Sequence, residues 1–212
     1  MPAPGIDVLI RGAAPVGCAL ALALKDSGLQ VGLVGSGAAN TSFRPIALSY
    51  ASRLILERLG VWPGLEATPI ETIHVSQQQG FGRMRMEAAD AGVPALGYVT
   101  EYAVLARALR QPSQALLLRE GVAARCVVHA EGAASDAEEK RYAQDALVAS
   151  VRTRPASSSV AFERFTAEGP LALLPHCGGY AVVWSCSPQR AALLLKSSEG
   201  AFLRALADAA GS

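Results

Sequence analysis

Gly12-Ala13-Ala14-Pro15-Val16-Gly17 is the stretch whose residue types and spacing point to a definite chemistry. In a G-x-G-x-x-G turn between a strand and a helix, the first glycine makes the bend. The second lets backbone approach a pyrophosphate, and the third lets helix and strand pack closely. The helix N-terminus then offers N–H groups and a partial positive charge to the phosphate. Here the first and third glycines are present, and Ala14 directs a methyl group at the place of the pyrophosphate. An acid at the end of the second strand would bind a ribose, but Gly35 and Ser36 stand there. Losing those hydrogen bonds weakens ribose binding by about 1.5–3 kcal/mol. The residues alone leave two readings open: a working nucleotide site, or a structural βαβ unit with a tight turn.

The elements that must position this turn can be read around it. Asp7 to Ile10 is a short apolar run ending at Arg11-Gly12, which predicts a buried strand. Val16 to Ser27 is rich in Ala and Leu and closes at Gly28, a helix with a glycine cap. Leu29 to Val34 is a second strand, and the three make a right-handed βαβ unit. Helical spacing of apolar residues predicts helices over 46–59 and 102–110, the second broken at Gln111-Pro112-Ser113. Strands are expected at 70–76, pairing back with 83–87, and at 126–130. Beyond 145 the pattern changes to short strands at 146–152, 159–165, 171–174 and 180–185, with separators at 169–170 and 175–179. That spacing argues a largely antiparallel sheet. Helices near 188–196 and 198–209 end the chain.

Composition narrows the function classes. Of 212 residues, 51% are hydrophobic, enough for a sizeable core. Nineteen basic against eighteen acidic residues leave a charge of +1 with no concentrated basic face, so no nucleic-acid partner is expected. No run of about 18 or more apolar residues suggests a transmembrane segment, and no secretory signal is expected. Cys18, Cys126, Cys177 and Cys186 form no CxxC pair, and reduced, mostly buried thiols are expected. Cys177 and Cys186, which flank one strand, are the pair to watch, and helix–sheet packing is favoured over a lowered pKa for Cys18. His74, His129 and His176 show no ligand spacing, so no metal is expected.

Beyond the turn, further segments follow in a telling order. They include Arg44 to Ser49, Leu56 to Trp62, Ile73 to Ser76, Gly92 to Tyr98, Tyr142 to Val148, Ala161 to Phe165, Gly169 to Pro175 and Val182 to Ser185. Together with Asp7 to Val34 they resemble the ubiquinone-biosynthesis hydroxylase family of FAD-dependent aromatic monooxygenases, which are p-hydroxybenzoate-hydroxylase-like. The resemblance implies an α/β chain: a Rossmann-like FAD/NAD(P)-binding fold over 1–141, interrupted in the family by the substrate domain, antiparallel substrate-domain strands over 142–186, and C-terminal helices over 187–212. It implies FAD as cofactor, NAD(P)H as reductant and a phenolic or polyprenyl-phenol ligand. The cofactor-binding residues would be Gly12, Ala13, Ala14, Pro15, Val16, Gly17, Arg44 and Arg107, with no catalytic residue assigned. A cytoplasmic protein with room for peripheral contact with the inner membrane is expected. So is a homodimer or a complex with other ubiquinone-biosynthesis proteins.

The departures from the family concern FAD. Ala14 replaces the middle glycine, Gly35 the acid, Ser42 an aspartate, and Glu131-Gly132 an Asp-Gly pair, while Arg44 and Gln144 keep the family's type. The family's second flavin motif would come after Ser212, so the C-terminal part of the family fold is expected to be missing. Two readings follow: a shortened FAD-dependent hydroxylase, or a degenerate, non-catalytic relative that binds a lipid or phenol, or acts as a scaffold, without FAD. Glu163 and Arg164, adjacent in a strand, must point to opposite faces, one of them toward the substrate cavity.

Overall fold

The computed structural model of the chain describes residues 5–36, 42–132, 138, 140, 142–154 and 159–211. Its elements run β1 (Ile6–Arg11), α1 (Pro15–Leu24), β2 (Val31–Val34), β3 (Pro45–Ser49), α2 (Tyr50–Arg58), β4 (Thr68–Ile70), β5 (Thr72–Gln77) and β6 (Arg83–Glu87). Next come β7 (Gly97–Glu101), α3 (Tyr102–Ser113), β8 (Ala124–His129), β9 (Asp145–Arg152) and β10 (Val160–Phe165). The chain closes with β11 (Pro170–His176), β12 (Gly179–Cys186), α4 (Pro188–Lys196) and α5 (Glu199–Ala210). They divide into two compact units. One comprises Met1–Ser42, Ser52–Glu66 and Glu101–Glu139, the other Phe43–Ala51, Ala67–Thr100 and Lys140–Ser212.

The first unit holds a parallel sheet in the order β2-β1-β8. Leu9, Ile10, Leu33 and Val34 are buried in it. Such residues form strands because β-branched and bulky side chains pack well on a pleated, buried surface. Helix α1 lies close to β1 because Gly17 has no side chain: a Cβ there would run into the Gly12 carbonyl and come within 3.3 Å of Ile10 Cγ2. Helix α3 buries Leu105, Leu109 and Ser113, one residue per turn along one face. The buried Ser113 hydroxyl reaches Leu109 O at 2.8 Å and lies 3.5 Å from Cys18 O. This corrects the break expected at 111–113, because α3 continues through Pro112 to Ser113. A proline in the last turn deletes one helical bond, and the packing of Leu109 and Ser113 holds the turn.

The second unit holds two sheets. The larger has the order β6-β5-β10-β11-β12-β9 and is antiparallel except where β5 and β10 run parallel. The smaller has the order β3-β7-β4. Helices α4 and α5 cover one face of the larger sheet through Leu147, Leu171, Val182, Trp184, Ala191, Leu194 and Leu206. On its other face Ala161, Ile73 and Leu174 pack with Ile70 and Val99 of β4 and β7. Ser187 and Ser198 cap α4 and α5, each accepting a backbone N–H three residues on.

Two expectations need correction here. Residues 46–59 are not one helix: β3 ends at Ser49 and α2 begins at Tyr50, since pairing in the small sheet overrides the local helical spacing. The separator at 175–179 shrinks to Cys177 and Gly178, both at positive φ (49° and 75°). That is the conformation of a two-residue hairpin turn matched to strand twist, so β11 runs on through Pro175 and His176. The stretch 1–141 is interrupted by segments of the second unit. Residues 43–51 and 67–100 belong to the second unit, because β5 pairs with β10 and β4 packs on the larger sheet.

Candidate functional site

The glycine turn sits at the C-terminal end of β1, in the middle of the parallel sheet, where an open α/β sheet binds its ligands. Gly12 has φ +108°, and a Cβ on it would come within 2.5 Å of the Ala130 carbonyl. Its N–H donates to Val34 O at 2.9 Å, tying the turn to the end of β2. Ala14 is the N-cap of α1, in extended conformation and without a side-chain cap, and the first turn carries no acid. Helical bonding begins with Cys18 N–H to Ala14 O at 3.0 Å. The N–H groups of Val16 and Gly17 therefore open off the helix end, where the dipole favours an anion. Pro15, at the first helical position, has no N–H to offer.

At the end of β2 the backbone comes up against this turn. Gly35 has φ +134°, and a Cβ on it would lie 2.9 Å from Ala13 N. Sequence reasoning noted the missing acid but not this contact, nor the seat that Ala130 and Glu131 make for Gly12. The run Gly35-Ser36-Gly37 at a strand end was the available signal.

The structure gathers residues 12–17, Gly35 and the Ala130–Glu131 backbone in the first unit. Arg107 is in the same unit, exposed, on the side of α3 away from its buried residues. Arg44 is exposed just before β3, in the second unit. Gln144 donates to Glu168 O at 3.2 Å, a structural contact within the second unit.

Cys18 is fully buried, its thiol 3.4 Å from Ala13 O, and burial pushes its pKa up, which supports the packing reading. The thiols are not mostly buried: Cys126 and Cys177 are exposed. Cys177 and Cys186 cap opposite ends of an eight-residue strand, roughly 25 Å apart by strand rise, beyond disulfide reach.

Glu163 and Arg164 divide as strand geometry requires. Arg164 pairs in register with Leu171, on the helix-covered face, and donates to Ser76 Oγ at 3.3 Å. Glu163 lies on the opposite face, opposite Ala172 and Val75. Among the described residues it has no hydrogen-bond or ion-pair partner, and burial raises its pKa. Its surroundings on that face are apolar: Phe165, Met84 and Val148 are all exposed there. No group of three or more His, Cys, Asp or Glu among the described residues is placed to hold a metal ion.

Comparison with known proteins gives this arrangement its context. No protein-family model matches the chain. It is 28% identical over 228 residues to the 3-demethoxyubiquinol 3-hydroxylase of Escherichia coli, covering 87% of this chain and 58% of that one. With the ubiquinone hydroxylase UbiL of Rhodospirillum rubrum the identity is 30% over 221 residues, covering 84% and 51%. An uncharacterized Synechocystis protein is 27% identical over 247 residues, covering 97% and 60%. The chain thus spans only 51–60% of the length of these relatives. Among solved structures, PqsL of Pseudomonas aeruginosa, described as a probable FAD-dependent monooxygenase, superposes with a TM-score of 0.72 at 20% identity, covering 96% and 66%. The p-nitrophenol 4-monooxygenase PnpA of Pseudomonas putida gives 0.66 at 17%, covering 96% and 62%. The fold is that of the flavin monooxygenases. The turn at 12–17 keeps the bend and the open helix N-terminus of a phosphate-binding turn, with Ala14 in place of the middle glycine. The end of β2 presents no carboxylate for a ribose.

Proposed function

Starting from a chain that is a relative of the ubiquinone-ring hydroxylases and has the flavin-monooxygenase fold, we propose that it serves FAD-dependent hydroxylation of an aromatic ring of the ubiquinone-biosynthesis type. The observation that carries this reading is the kinship with two ubiquinone-ring hydroxylases along 84–87% of the chain. Flavin would supply the oxygen chemistry and NAD(P)H the hydride, while the protein binds and orients. Residues 12–17 would hold the pyrophosphate, and Arg44 and Arg107 are assigned to the cofactor on the family's pattern. The ligand would be a phenol or polyprenyl phenol lying on the Glu163 face of the larger sheet. Its apolar residues suit a lipid tail, and the lone carboxylate suits a phenolic hydroxyl. Association with a second copy or with other ubiquinone-biosynthesis proteins, in the cytoplasm or at the inner-membrane surface, completes the proposal. Leu193 and Leu195, 66% and 75% exposed on α4, support such contacts.

The test is a visible spectrum of the purified chain with excess FAD, followed by NADPH oxidation with phenolic substrates. A flavin spectrum perturbed by the protein and phenol-dependent NADPH oxidation are the expected results. The second reading, a binding or scaffold protein without FAD, is favoured by the absent carboxylate at residue 35, and it wins if the flavin spectrum stays that of free FAD.

A further inference from the structure

The end of β2 is built without room for a side chain. Two constraints fix it: the bond from Gly12 N–H to Val34 O at 2.9 Å, and the seating of Gly12 on the Ala130–Glu131 backbone. Together they hold Ala13 N where a Cβ on Gly35 would approach to 2.9 Å, and Gly35 itself is at φ +134°, which L residues rarely adopt. The position that in a dinucleotide fold carries the carboxylate for the ribose hydroxyls is therefore closed to a side chain in this backbone conformation. The phosphate half keeps its bend, its close helix packing and its open helix N-terminus.

We infer that any dinucleotide bound by this chain is held by its phosphates and not by its adenosine ribose, so that FAD exchanges with the medium instead of staying resident. This rests on the flavin reading above. Relative to a site that keeps the ribose–carboxylate bonds, affinity falls about ten- to hundredfold. The loss is also locked in, because restoring an acid at residue 35 places its Cβ against Ala13.

The experiment is a flavin-fluorescence titration of the full chain, with ADP and adenosine as competitors, followed by desalting. FAD should bind in the titration and wash out on desalting. ADP should displace it, while adenosine, which has the ribose but no phosphate, should not. Stoichiometric FAD after desalting, or adenosine competing as well as ADP, overturns the inference and leaves the flavin reading intact. No binding of FAD or ADP at all overturns both. Two variants add to the wild-type result. Ala14→Gly should tighten FAD binding by relieving the methyl group at the pyrophosphate, whereas Gly35→Glu should not. Tightening of about tenfold or more in Gly35→Glu would overturn the inference. A Gly35→Glu chain that fails to fold would agree with the steric argument, and the wild-type competition would still decide the matter.

Discussion

Gly17 shows how much one missing methyl group can decide. A Cβ there would collide with the Gly12 carbonyl, so Gly17→Ala must push α1 off the sheet. Thermal unfolding should show a loss of about 2–4 kcal/mol, and FAD titration a matching loss of binding. Asp7 works at the other end of the same sheet. It accepts from Gln30 N–H at 3.0 Å and pairs with Arg125 at 3.2 Å. The Gln30 bond, then the Arg125 bond and charge, lower its pKa below the ordinary aspartate range. Because the folded state holds this proton less tightly, the contribution is complete above the unfolded pKa and is lost as pH falls through the folded one. Asp7→Asn should flatten the acid limb of the stability curve, measured by denaturant midpoints across pH. Glu163 has the opposite sign: burial raises its pKa, so the folded state is penalised as pH climbs past the unfolded value. Glu163→Gln should leave stability at neutral pH unchanged or slightly higher, while phenol binding weakens. A stability loss without a binding change would remove Glu163 from the ligand face. The alternation of 163 and 164 was legible in the sequence. Which face each took was not, because that depends on where α4 and α5 dock, and docking is a long-range choice.

At the scale of elements, the hairpin turn is the most direct test. Cys177 occupies a left-handed conformation at φ 49°, which Asn and Gly adopt more readily. Relief of the left-handed backbone, less the freedom glycine adds to the unfolded chain, should let Cys177→Gly raise stability by about 1 kcal/mol or less, read from the unfolding midpoint. The short β11–β12 connection was hidden in the sequence by Pro175, which reads as a separator although it is a paired strand residue. Helices α4 and α5 were legible almost to the residue, since serine caps and an amphipathic pattern agree there. The segment at 46–59 misled for the converse reason. Its apolar residues satisfy a helical period locally, while its first residues are claimed by a strand partner, β7, about fifty positions further on.

For the whole molecule, charge and interleaving matter most. A formal charge of +1 leaves little long-range repulsion between copies at neutral pH, so solubility should be lowest there and improve on either side. Light scattering against pH would check this. Replacing Leu195 by Glu should reduce association at neutral pH, and unchanged scattering would argue against α4 as a contact. The sequence made the order of segments legible but not their division between units. The division is set by which strands pair across long loops, and no local period encodes that.

The parallel pairing of β5 with β10 also imposes a wait during synthesis. Ser76 meets Arg164 across 88 positions of chain. At typical translation speeds, β5 and β6 leave the ribosome roughly 4–18 s before their partner exists. Through that interval the hairpin, with Phe81, Met84 and Met86 still exposed in the finished fold, has an open strand edge and no covering sheet. Yield in a cell should therefore follow chaperone supply and growth temperature more closely than it follows the stability of the folded chain.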